Sequence, residues 1–220
     1  MPTSQHYQIP KILDLLMAAD PASLLDVGVG FGKYGFLARE YLELWGEHTG
    51  YATFTRRIDG IEIYKEYLTP VHAYLYDHVY TGDALQIVPS LKTAYDLTLL
   101  IDVLEHFEKP DGTKLLKALL RKSRGILISV PKDIGDQGEV FGNIHETHHA
   151  EWTPADFRRI SPALFIRDTT STIAYLGKPN DIRRIKRALL KQRVWRHASA
   201  SPLASRALRA ASRFLKKPRA

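Results

Sequence analysis

Three histidines fall within five positions in Gly142-Asn143-Ile144-His145-Glu146-Thr147-His148-His149, and Trp152 follows closely. An imidazole titrates near neutrality, so such a stretch can take up or return a proton. His148 or His149 is the first choice as a general base, and His145 the next. A loop in which all three only cap and hydrogen-bond is the competing reading. A second group is Asp26-Val27-Gly28-Val29-Gly30-Phe31-Gly32, an acid ahead of three glycines. Glycines at such a place permit a tight turn and let a ligand approach the main chain. The stretch lacks the Gly-Lys-Ser/Thr ending of a phosphate-cradling loop. An acid at position 26 would also lie close to any pyrophosphate, so a ligand with a positive centre suits it better. The 220 residues contain no cysteine. That excludes a thiol nucleophile, a disulfide scaffold, an iron–sulfur cluster and a thiolate zinc site.

The elements that must position these residues alternate in type. Short apolar runs predict strands over 24–27, 57–63, 78–80, 97–101 and 125–130. Helical spacing predicts helices over 11–19, 32–45, 64–76 (interrupted near Pro70) and 113–122. In the first of these, Ile12, Leu13, Leu16 and Met17 share a face. Thr153-Pro154-Ala155-Asp156 is a further helix start, with a capping threonine and a proline suited to the first turn. Two closing strands follow over 165–167 and 171–176. Residues 46–57 are polar and contain glycine, and they read as a loop that can lie over a pocket. The pattern predicts an α/β fold, with a doubly wound, mostly parallel sheet, helices on both faces and an antiparallel edge. Ligands of such sheets bind beyond the carboxyl ends of the strands, where the strand order switches.

With these motifs in this order, residues 8–177 resemble the class I S-adenosylmethionine-dependent methyltransferases, in the small-molecule branch similar to ubiquinone-biosynthesis enzymes. The resemblance implies a seven-stranded Rossmann-like sheet and S-adenosylmethionine as cofactor. It implies that Asp26, Gly28, Gly30 and Gly32 form the cofactor loop. Glu62, ending Ile58-Asp59-Gly60-Ile61-Glu62, would hold the ribose hydroxyls. Asp83, in Thr81-Gly82-Asp83-Ala84, would meet the adenine amino group. Asp102, in Ile101-Asp102-Val103-Leu104-Glu105-His106, would face the methionyl end. Asp59 is expected to be exposed or a supporting partner, and His106 a packed histidine. The gap from Asp26 to Glu62 is longer than usual, which the loop over 46–57 accounts for. The Asn/Asp-Pro-Pro-Tyr signature of amino-methylating relatives is absent after the fourth strand, which disfavours nucleobase amino-methylation. Asp102, Glu105 and His106 with one of the loop histidines offer an oxygen and nitrogen donor set. The same run is ordinary in metal-free relatives, so no metal is expected.

Charge divides the chain. The formal net charge is +7, but of 31 Lys and Arg, 14 lie from Lys178 onward, with Asp181 the one acid among them. The preceding residues hold the other 17 bases against 23 acids, so an acidic body of net −6 carries a basic extension of net +13. Residues 1–177 are therefore read as the methyltransferase domain and 178–220 as a basic, amphipathic extension. In it, Ile182, Ile185, Leu189 and Trp195 lie among arginines and lysines. A second stretch sets Leu203, Leu208, Phe214 and Leu215 against further cations. Such faces suit an anionic membrane surface, and they can also neutralise phosphates or dock on a protein partner. The expected reaction is O-methylation of a small-molecule, glycan or lipid-linked acceptor. An RNA methyltransferase that uses the extension to hold nucleic acid is the alternative and ranks below it. A binding module without catalysis and an NAD-dependent oxidoreductase rank lower still. No secretory signal or membrane-spanning run is read. A cytoplasmic protein is expected, with a peripheral position on the cytoplasmic face of the membrane open to it through the extension.

Overall fold

The structure, a computed structural model, describes residues 6–44 and 53–200. Its strands are β1 (Ser23–Val27), β2 (Arg57–Glu62), β3 (His78–Thr81), β4 (Leu97–Ile101), β5 (Gly125–Pro131), β6 (Ala163–Ile166) and β7 (Ser171–Gly177). They form one sheet in the order β3-β2-β1-β4-β5-β7-β6. The first five strands pair in parallel, and β7 runs antiparallel between β5 and β6. The chain winds outward from β1 to β3 and then returns to β4 beside β1, so the order reverses between β1 and β4. A crevice is expected at that reversal.

Central strands are buried on both faces because helices cover both. Side chains alternate along a strand, and β1 shows the result. Leu24 joins the core under α1 (Ile9–Ala19), α2 (Lys33–Arg39), α3 (Pro70–Leu75) and α7 (Pro179–Ala200). Leu25 joins the core under α4 (Ala84–Ser90), α5 (Lys109–Lys122) and α6 (Pro154–Ile160). This explains why these strands read as continuous apolar runs.

Several local expectations shift. Pro70 does not interrupt a helix but starts one, since Thr69 and His72 cap α3 reciprocally; only a short 3-10 turn, Lys65–Tyr67, precedes it. The helix over 32–45 is regular through Arg39 and continues as a π turn, Glu40–Leu44. Trp45 and residues 46–52 of the expected loop lie outside the described residues. In α1 it is Leu15, with Ile12 and Leu16, that is buried, while Leu13 and Met17 stand at the margin. The helix α4 was not expected. It is short and contains Pro89, and Asp83 caps it by accepting from the Leu85 N–H at 2.8 Å.

The basic extension begins as α7, directly behind β7. Ile182 and Ile185 are buried in the first core, Arg184 donates to the Ala19 carbonyl at 2.9 Å, and Arg196 pairs with Asp14 at 2.9 Å. The apolar side of the first turns is thus spent on α1. Leu190, Val194 and Trp195 remain exposed. The second amphipathic stretch, from Leu203 onward, lies outside the described residues. Truncating Ile185 to alanine is expected to cost about 2–5 kcal/mol of stability, because it opens a core cavity. Leu190→Ala is expected to stay within about 0.5 kcal/mol. Urea unfolding of the two variants checks this, and equal midpoints would show that α7 is not part of the core.

Candidate active site

A cleft of about 490 Å³ opens at the carboxyl ends of β1, β2 and β4. Its floor is the glycine turn. Gly28, Gly30 and Gly32 all have positive φ, at +76°, +51° and +82°, a region that glycine enters without a Cβ penalty. At Gly28 space forbids a side chain as well, since a Cβ would stand 2.4 Å from Val103 Cγ2. The Gly28 N–H donates to the Ile61 carbonyl at 2.8 Å and the Gly30 N–H to Glu62 Oε2 at 2.9 Å. The turn is thereby tied to the end of β2.

Asp26 lies beneath this turn and does not line the cleft. It is 2% exposed and accepts from the Tyr76 hydroxyl at 2.6 Å. Tyr76 reaches it by passing under α2, where Gly35 leaves room; a Cβ there would stand 2.4 Å from the tyrosine ring. The Gly35 N–H donates to the same hydroxyl at 3.2 Å. His72 stacks on Tyr76 and donates from Nε2 to the Gly30 carbonyl at 2.8 Å. Burial pushes the Asp26 carboxyl up to about 7; the Tyr76 hydrogen bond opposes this and the nearby Glu62 charge adds to it.

The remaining acids are distributed along the cleft. Glu62 lines it with both oxygens engaged, Oε2 with Gly30 and Oε1 with the Tyr64 N–H at 2.9 Å. Each oxygen keeps a lone pair for a ligand hydroxyl. Burial raises its proton affinity. Asp83 lines the cleft from the cap of α4, with Oδ1 on that helix. Asp102 follows β4 in a left-handed conformation (φ +53°) that non-glycine residues seldom adopt. Its carboxylate accepts from the Gln8 amide, and Gln8 in turn accepts from the Ser129 hydroxyl at 2.5 Å. Gln8 is fully buried, so the start of α1 positions a cleft acid. Lys33 brings a cation to the same wall; burial lowers its affinity for a proton and Asp102 partly restores it. Asp59 is outside the cleft, buried and held by Arg57 and the Tyr95 hydroxyl.

The histidine loop closes the other side. His145 and His149 line the cleft. The His149 ring lies 3.5 Å from the Glu108 carboxylate and is 42% exposed by side chain, open to an incoming group. His148 is turned behind the wall, where its Nδ1 donates to the Ile134 carbonyl. His106 lines the cleft and donates from Nδ1 to the Thr147 carbonyl at 3.1 Å, and burial lowers it to about 4. Two residues of the loop went unassigned in the sequence. Glu146 is buried in the wall and accepts from the Tyr67 hydroxyl at 3.1 Å and the Asn143 amide at 3.4 Å. Asn143 also caps the following turn by accepting from the His145 N–H at 3.0 Å. A carboxylate within a histidine run was the available signal for Glu146; Tyr67 had none. At the mouth, Phe31, Ile63 and Ile144 are exposed.

The sequence matches no protein-family model and no curated protein. Solved structures do match the fold. An O-methyltransferase family protein from Burkholderia thailandensis superposes with a TM-score of 0.55 at 13% identity, over 78% of this chain and 56% of its own. The N-terminal domain of EvdMO1, solved with SAH and D-fucose, gives 0.53 at 14% identity, over 80% and 84%. Magnesium protoporphyrin IX methyltransferase (ChlM) from Synechocystis PCC 6803, with bound SAH, gives 0.50 at 15%, over 78% and 83%. The chain thus spans little more than half the length of the Burkholderia protein. Strand order and similarity together define a Rossmann-like fold of the class I methyltransferase type.

Asp26 generates a pH dependence. Its carboxyl binds a proton more tightly folded than unfolded, so the folded state loses relative stability as pH rises from about 4 to about 7 and then levels off. Asp26→Asn keeps the shape and removes the charge. The variant is expected to gain on the wild type across that window, by up to roughly 4 kcal/mol at pH 8. Urea unfolding of the ligand-free proteins at pH 5 and 8 measures the gap; a gap independent of pH would contradict the assignment.

Proposed function

We propose that this chain is an S-adenosylmethionine-dependent methyltransferase that methylates an oxygen of a small-molecule acceptor. The observation that carries this reading is the ring of acids at the strand ends around the glycine turn. In this reading Glu62 accepts from a ribose diol, Asp83 meets the adenine amino group, and Asp102 with Lys33 receives the methionyl end; that all four line the cleft supports it. Methyl transfer is an in-line displacement in which the sulfur–carbon bond breaks as the oxygen–carbon bond forms. Holding the two reactants aligned is the main contribution a protein can make to it. His149 is the proposed base for the acceptor proton, being the histidine of the loop that lines the cleft beside a carboxylate. His145 is the second choice, and His148 is set aside for this step because its ring is turned away.

The apolar mouth formed by Phe31, Ile63 and Ile144 supports an acceptor with an apolar body, such as a lipid-linked glycan. On α7, exposed Leu190, Val194 and Trp195 stand among Arg187, Lys191 and Arg193. That face supports a peripheral position on an anionic membrane, where a lipid-linked acceptor would be presented.

Two expected outcomes test the proposal. In calorimetry S-adenosylmethionine binds and NAD does not, and Glu62→Ala or Asp83→Ala weakens binding by about 10-fold or more, the loss of a charge-assisted hydrogen bond. No binding of S-adenosylmethionine or S-adenosylhomocysteine would end the reading. In flotation, the full chain rises with phosphatidylserine vesicles, and a variant with L190E, V194E and W195E does not. Equal flotation of the two would sink the membrane role without touching the cofactor.

A further inference from the structure

Away from the cleft, the first turns of α7 carry a second concavity. It is a crevice of about 460 Å³ lined by Asn180, Arg183, Arg184, Arg187, Ala188 and Lys191. Residues three and four apart on a helix are neighbours, so these six form one stripe, and four of them are cations. Two of the four are fixed in place. Arg184 donates to the Ala19 carbonyl at 2.9 Å, and Arg183 donates to the Asn180 side-chain oxygen. Arg187 and Lys191 pair with no acid among the described residues. The acids of α7 and of the adjoining α1 are already engaged, Asp181 by Arg124, Asp14 by Arg196 and Asp20 by Arg56. Like charges at these spacings repel one another, so packing on α1 gives no reason for the stripe. Ile182 and Ile185 hold the buried side of the helix. On the outward side, at 3.6 residues per turn, Arg183 and Arg187 fall in line with exposed Leu190 and Val194, and exposed Trp195 lies one turn beyond Lys191.

The structure assigns to this crevice a binding site for the phosphate of a lipid headgroup that is a phosphomonoester. Such a group carries about −1.5 to −2 charge at neutral pH and three strong acceptor oxygens. Three guanidinium forks and an ammonium can saturate those oxygens, since arginine engages phosphate through paired N–H bonds. A headgroup of single net charge would leave most of the stripe uncompensated. The lipid as carrier follows from the neighbours of the crevice. Apolar side chains beside a basic cluster on one exposed helix face bury at the acyl boundary while the cations stay at the headgroups, and an exposed tryptophan suits that boundary. Nucleic acid also offers phosphates, but each is a diester with one charge, and it makes no use of a leucine and a valine in line with the arginines. Surface charge alone attracts the extension to any anionic membrane. A built crevice adds a preference between headgroups at equal surface charge. The choice of a lipid rests on the membrane reading above; the phosphate site rests on the crevice, and on neither the cleft nor the cofactor.

The full chain is mixed with phosphatidylcholine vesicles holding either phosphatidic acid or phosphatidylserine, adjusted to equal zeta potential, and bound protein is measured by co-sedimentation. Phosphatidic acid is expected to bind about 5-fold tighter or more, the equivalent of one further cation at the surface. A variant with R183Q, R187Q and K191Q is expected to lose the preference and to bind phosphatidic acid on the order of 100-fold more weakly, at about 5-fold per cation. A control with K114Q, K117Q and R121Q removes three charges from the exposed side of α5, which packs on the opposite face of the sheet. It is expected to keep the preference. Inorganic pyrophosphate at constant ionic strength needs no variant to fold, and it is expected to bring phosphatidic acid binding down to the phosphatidylserine level. A preference kept by the folded crevice variant, or equal losses in the two variants, would overturn the site. So would a single-stranded RNA that displaces the vesicles and depends on the same three cations, which would put nucleic acid in place of the lipid. Equal binding to both kinds of vesicle removes the site and leaves the membrane reading standing. No binding to either removes the membrane reading and the lipid with it, and S-adenosylmethionine binding decides the methyltransferase reading separately.

Discussion

The hydrogen bond from Tyr76 to Asp26 holds the surface on which the cleft depends. It is buried at the end of the central strand, directly under a turn in which Gly28, Gly30 and Gly32 all have positive φ. A turn of that kind is entropically costly, and its three glycines bring no side chains to brace it. The brace comes from below, from Tyr76 and the His72 ring stacked on it, which reaches the Gly30 carbonyl. It also comes from the side, through Glu62 on Gly30 and the Ile61 carbonyl on Gly28. Asp26 therefore bears on the cleft through the shape of the turn. Its charge is screened from the cleft by the backbone it supports, and its raised proton affinity follows from the same burial.

This arrangement separates two kinds of acid that look alike in a sequence. Asp26 and Asp59 end up beneath the sheet surface with tyrosine hydroxyls on them, whereas Glu62, Asp83 and Asp102 reach the cleft. The strands themselves were readable, because burial on both faces leaves uninterrupted apolar runs whose ends coincide with glycines and acids. Helix α4 was not, since its seven residues with an internal proline carry too little periodicity to register. Gln8 was out of reach for a different reason. Its importance comes from a bond to Asp102 across 94 residues of sequence, and no local pattern encodes such a contact.

The basic extension shows how amphipathicity misleads when a helix has two possible places for its apolar side. Ile182, Ile185 and Leu189 are spaced as a membrane face would be, and the same spacing serves equally well against α1. Packing decides, because a nearby unpaired core face is present whenever the protein is folded. What remains for an external surface is the smaller set Leu190, Val194 and Trp195, offset around the helix from the buried residues.

The histidine loop divides its residues by the same logic. Its main chain is pinned through the Glu105 carbonyl and through Gln137, which donates to the Glu146 carbonyl at 2.8 Å and accepts the His148 N–H on its own carbonyl at 3.0 Å. Once these bonds are made, neighbouring side chains must point to opposite sides. His149 and His145 meet the cleft, while His148 meets His106 and Glu105 behind it. Three histidines that look interchangeable in the sequence thus meet two environments, His145 and His149 the cleft and His148 the turn after β4 and the Ile134 carbonyl. The buried carboxylate of Glu146, fixed by Tyr67 and Asn143, keeps the boundary between them in place.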